Sequence, residues 1–166
     1  MSPRPPRAPD EIVDAIQLLW KPGPDDFLLR ARLPEDVRLV YPVLSSFPAV
    51  LDWDEARMLA ESAVHRRAVG SDMRSLSYPH SFDRVAGISD TCPAAGDVLL
   101  SDGAGRDLHV SEPAFDRLLT RILDTLIAGA VGETLPETGT VWWPDFVELT
   151  RQIAARSRAH DRREVD

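Results

Sequence analysis

Residues 97–132 constrain the fold more than any other stretch, because a hairpin pattern there runs straight into the strongest helical stripe in the chain. In DVLLSDGAGRDLHVS, Val98 and Leu100 alternate with polar positions, DGAG turns the chain, and Leu108 and Val110 return. Period-two alternation around a Gly-rich turn is the pattern of a half-buried hairpin, which is expected over about 97–111. A helix follows at once: Ser111 or Glu112 is placed to cap it, Pro113 suits its first turn and Gly132 its stop. Phe115, Leu118, Leu119, Ile122, Leu126 and Ala130 fall on one face of it, so this helix is expected at the centre of the core. The class that follows is α+β and predominantly helical.

The other elements are read around that unit. Asp10 can cap a helix over EIVDAIQLLW, with Ile12, Ile16, Leu19 and Trp20 on one stripe, ended by Pro22, Gly23 and Pro24. Further strands are possible near 27–41. Phe27, Leu29 and Ala31 alternate as a strand does, whereas 34–41 is open between a second strand and a helix begun by Pro34. In LDWDEARMLAESAVHRRAVG, Asp52 and Glu55 stand at capping-box spacing, Gly70 fits the stop, and Ala56, Leu59 and Ala63 make a small-residue inner face. Residues 71–96 show no sustained period, so they hold either a functional loop or an unrecognised element. A final helix carries Phe146, Leu149 and Ile153 inward.

Domain organisation is then a disordered Pro/Arg tail over 1–9, one globular domain over 10–158 and a frayed end over 159–166. At 166 residues one domain can bury its apolar surface without staples, and 43% hydrophobic with 28% charged residues is an ordinary folded composition. Apolar runs are too short for a membrane span, and the first residues lack a secretory apolar region. One cysteine, Cys92, excludes an internal disulfide and suits a reducing cytoplasm. The basic side is almost all arginine, with Lys21 the one lysine, as a GC-rich bacterial genome writes it.

A net charge of −8 repels phosphate backbones and argues against general nucleic-acid binding. The arginine-rich end, RQIAARSRAHDRREVD, is diluted by Asp161, Glu164 and Asp166. No phosphate-cradling Gly loop, cysteine pair, nucleophile elbow or H-E-x-x-H occurs, so no cofactor and no metal are expected. Glu61 and His65, at i and i+4, share a helix face and form the weak metal candidate; His80, Asp83 or Asp72 would have to complete it. His80, Asp83, Cys92 and His109 hold the residue types of a thiolate–imidazole site, although no spacing brings them together.

The pair in TVWWPDF is the best interface candidate. Proline disfavours helical backbone in the residue before it, so Trp143 is expected to be extended. Consecutive extended side chains diverge, which sends Trp142 and Trp143 to different surfaces. One ring would staple the helix start on Phe146 or Val147, and the other would meet a neighbouring element or a partner. The leading expectation is therefore a small acidic cytoplasmic protein that works by binding another protein, with a basic one best suited to its charge, as regulators, inhibitors and immunity-type proteins do. Self-association into a homo-oligomer is compatible with it. The alternative is a small enzyme, a hydrolase, around His80, Asp83, Cys92 and His109. A weaker one is a DNA-associated regulator using the arginine-rich end.

Overall fold

The computed structural model describes residues 4–22, 27–70, 74–79 and 93–166. They form one mixed α+β domain with six α-helices and two small antiparallel sheets. In chain order the first elements are α1 (Asp10–Asp14), β1 (Gln17–Trp20), β2 (Leu29–Arg32), α2 (Glu35–Val40) and α3 (Val43–Ser46). Next come α4 (Trp53–Val64), β3 (Val69–Gly70), β4 (Arg74–Ser77), β5 (Asp97–Asp102) and β6 (Asp107–Ser111). The chain then runs through α5 (Glu112–Gly132), a 3-10 turn (Pro136–Gly139) and α6 (Trp143–Val165). Among the described residues no helix is long and apolar enough to cross a membrane.

The hairpin and its helix form as the residue pattern requires. Val98 pairs with Val110 and Leu100 with Leu108, and Gly105 takes the positive φ of +76° that the turn needs. The Asp102 carboxylate organises that turn, accepting from the Ala104 and Arg106 amides at 3.0 Å and from the Arg106 guanidinium at 2.7 Å. Of the two cap candidates, Ser111 is the one used: its Oγ accepts from the Ala114 amide at 3.1 Å. Each of the six stripe residues of α5 is at most 1% exposed, and α5 packs against α1, α4, α6, β1 and one face of the β3-β4-β5-β6 sheet.

Elsewhere tertiary pairing decided matters. The expected helix over 10–20 ends at Asp14, and Gln17–Trp20 instead pair with Leu29–Arg32. So short a helix gains few intrahelical bonds, whereas strand pairing satisfies the same amides and lays Trp20 on α5 at Gly129. Within the open stretch 34–41, Glu35–Val40 are helical, with Pro34 before the first turn, and this helix buries none of its side chains. On α4 the Asp52–Glu55 cap forms at 2.9 Å, and Glu55 reaches back to the Leu51 amide at 2.6 Å. The stop lies at His65, with Arg66 in the left-handed region at φ 48°, while Gly70 belongs to β3.

Within 71–96, Arg74–Ser77 form β4, in register with β5 from Arg74↔Asp102 to Ser77↔Leu99. With Leu76 its single apolar residue, this strand has no alternating signature. It is nonetheless buried throughout, and Arg74 there reaches Glu55 at 2.8 Å and the Phe47 carbonyl at 2.7 Å. Pro6–Ala8 run parallel to β6, and Ala8 is fully buried. At the other end α6 remains helical through Val165.

Candidate functional site

Trp142 has helical angles, φ −82° and ψ −14°, and its carbonyl accepts the Phe146 amide at 3.1 Å, which makes Trp143 the first residue of α6. The expectation of an extended pair with diverging rings is therefore corrected. Pro144 sits in the first turn, where the missing N–H would have lacked an intrahelical partner in any case. The pre-proline preference is a bias, and here aromatic packing overrides it. Trp53, at the start of α4, lies 6.2 Å from Trp142, 5.6 Å from Trp143 and 6.0 Å from Phe146, centroid to centroid. Such pairs add about 0.5–1.5 kcal/mol each beyond area burial, enough together to outweigh a backbone bias. Trp143 is 8% exposed and Phe146 1%, whereas Trp142 is half-buried at the edge of the cluster.

Trp142 borders a groove of about 370 Å³ between α4 and α6. Its apolar floor is Trp142, Phe146 and Leu149, and Glu61, Asp145 and Glu148 supply three carboxylates against the single guanidinium of Arg57. Arg57 lies over the Trp142 ring at 4.6 Å from its centroid, a cation–π contact. Val141, next to Trp142, is 97% exposed. Glu61 and His65 both line this groove, as their i, i+4 spacing requires. Among the described residues, neither belongs to a group of three metal-capable side chains. Their suggested co-ligands Asp72, His80 and Asp83 lie outside the described residues.

Of the proposed catalytic set, His80, Asp83 and Cys92 also lie outside the described residues, and only His109 can be placed. It sits on β6 with 1% exposure, and neither ring nitrogen has a hydrogen-bond partner among the described residues. Burial pushes its pKa below the ordinary imidazole value, against the pull of Asp97.

A second cluster escaped the sequence reading. Asp116, fully buried near the start of α5 at the border of its apolar stripe, accepts two hydrogen bonds from Arg156 of α6, both 2.8 Å. Arg156 also donates to the Ala63 carbonyl at 2.9 Å, which ties in the end of α4. His160, one turn along α6, brings Nε2 to 3.2 Å from Asp116, and Glu112, one turn earlier on α5, pairs with Arg66 at 2.5 Å. Burial opposes the Arg156 charge, but Asp116 outweighs it and holds the guanidinium pKa above its usual value. Tyr78, fully buried beside these charges, has its phenol pKa raised by burial.

Glu112, Asp116 and His160 offer ligand atoms within 4.8 Å of one another. Yet both carboxylates already face guanidinium groups, and a cation entering there would have to displace Arg156. The cluster is built to lock α4, α5 and α6 together. The signal for it was partial: Asp116 follows Phe115 on a core helix, and a buried carboxylate there needs a cation. Comparison with family models, curated proteins and solved structures found no match.

Proposed function

We propose that the protein is a protein-binding module whose contact surface is the groove between α4 and α6, with Trp142 as its anchor. The observation that carries this reading is the half-exposed Trp142 ring, backed by Trp53, Trp143 and Phe146 and bordered by Glu61, Asp145 and Glu148. A rigidly backed aromatic ring gives contact area at small entropic cost, and interface hot spots favour it for that reason. The carboxylates and the overall charge of −8 suit a partner segment that combines apolar and basic side chains, in the manner of regulators, inhibitors and immunity-type proteins. A cytoplasmic location belongs to this reading, on the strength of the single cysteine. The DNA-regulator alternative is weakened because Arg156, one of the arginines it counted on, is turned inward to Asp116.

Affinity capture from the native host, with wild-type protein and Trp142→Ala as baits, tests the proposal. The expected result is a partner that is lost with Trp142→Ala at unchanged circular dichroism and that weakens as salt rises. Retention of every captured protein by a folded Trp142→Ala bait overturns it.

A further inference from the structure

We propose that the segment Pro6–Ala8 is an acid-releasable strap, closed along β6 while His109 is neutral and freed when that imidazole takes a proton. β6 is the outermost strand of its sheet, and the strap covers its edge. The Ala8 amide donates to the His109 carbonyl at 2.9 Å, and the His109 amide donates to the Pro6 carbonyl at 2.8 Å. Cross-strand partners share a face, so the register Asp97↔Ser111 and Leu99↔His109 puts Asp97 and His109 on the same side of the sheet. The core uses the other side, through Val98 and Val110. Arg7, paired with His109, projects to that same side, and its guanidinium crosses β6 to reach Asp97 on β5 at 3.1 Å.

The Arg7–Asp97 bridge thus spans the strand that carries His109, whose ring is buried with no hydrogen-bond partner at either nitrogen among the described residues. The charged groups around it, among the described residues, are Asp97 from β5, Asp107 from β6, and Arg4 and Arg7 from the strap side. A neutral imidazole leaves the bridge undisturbed. A protonated one adds a buried charge and a second unsatisfied N–H, repels Arg4 and Arg7, and competes with Arg7 for Asp97. Each of those changes favours the open strap, in which the ring meets water. Because burial depresses the pKa in the closed form, closure is fully stabilised above the ordinary imidazole range and is lost as pH falls through it towards the depressed value. Opening uncovers the His109 N–H and C=O on the β6 edge, where an added strand pairs.

Amide hydrogen exchange of Ala8 and His109, corrected for intrinsic rate, reads the strap directly from about pH 7.5 to about pH 5, around the ordinary imidazole titration. It is run on the full chain beside an NMR titration of the His109 ring. Both amides should lose protection on acidification with the midpoint of the ring titration, while His109→Gln keeps both protected throughout. Arg7→Gln, which leaves β6 itself intact, should lower their protection already at about pH 7.5, where the imidazole is neutral. Protection that stays flat in the wild type while the ring titrates overturns the proposal. So does acid release that persists in His109→Gln, or an Arg7→Gln strap as protected as the wild type.

Discussion

Removing the Asp116 carboxylate is the sharpest test of how this domain is held together. Asp116→Ala takes away an acceptor that is fully buried and leaves the Arg156 guanidinium, its side chain 17% exposed, with the Ala63 carbonyl as its one remaining acceptor among the described residues. Breaking one partner out of a buried ion pair costs about 3–5 kcal/mol, because the remaining charge stays desolvated. The Ala63 bond and the partial exposure of Arg156 offset some of that, so the low end, about 3 kcal/mol, is expected. For a chain of this size each kcal/mol moves the melting temperature by about 2–4 °C, which gives a drop of about 6–12 °C. Urea unfolding followed by circular dichroism and tryptophan fluorescence measures it. Glu148→Ala is the control: its pair with Arg151 is exposed on both sides and should shift stability by less than about 0.5 kcal/mol. The double change Asp116→Leu with Arg156→Met should recover part of the loss, since apolar replacement removes both desolvation costs together. A cost below about 1 kcal/mol for Asp116→Ala, or strict additivity of the two sites, would refute the locked α5–α6 pair.

Two further outcomes follow from packing. Leu119→Ala should destabilise by about 2–5 kcal/mol in the same assay, because Leu119 is fully buried in α5; under about 0.5 kcal/mol would mean the helix is misplaced. Gly129→Ala should destabilise by about 1–3 kcal/mol despite the helix propensity it adds, since the new Cβ would overlap the Trp20 ring. That ring cannot easily withdraw: its Nε1 donates to Glu133 at 2.9 Å and it packs 6.3 Å from Trp53. A neutral or stabilised Gly129→Ala protein would show that β1 does not lie on α5.

Several parts of the fold and site were legible because the interactions that make them lie within a few residues. Asp52 caps through Glu55, Ser111 through Ala114, and Asp102 ties its turn through Arg106. Glu61 and His65 share a groove because a helix puts i and i+4 on one face. What was misread or left open has a different range. Gln17–Trp20 carry a helical stripe yet lie as a strand, since β2 offers them partners. β4 has one leucine among Arg and Ser and is a strand because β5 lies beside it. Trp142 and Trp143 converge because Trp53, far away in the chain, supplies a common surface. Local propensity spans well under 1 kcal/mol per ordinary residue, and packing an aromatic ring outweighs it.

By itself, then, the sequence determined the class, the hairpin that feeds α5, the inner face of that helix, and an acidic surface with tryptophan beside a proline. Each depends on periodicity, caps and net charge, which the neighbouring residues decide. Only the tertiary structure decided that Trp142 is the ring left at the groove, that Asp116 meets Arg156 across 40 positions, and that Arg7 reaches Asp97 across 90. Buried charges and aromatic rings are satisfied by whatever the fold brings near them, and that proximity is not written in local spacing.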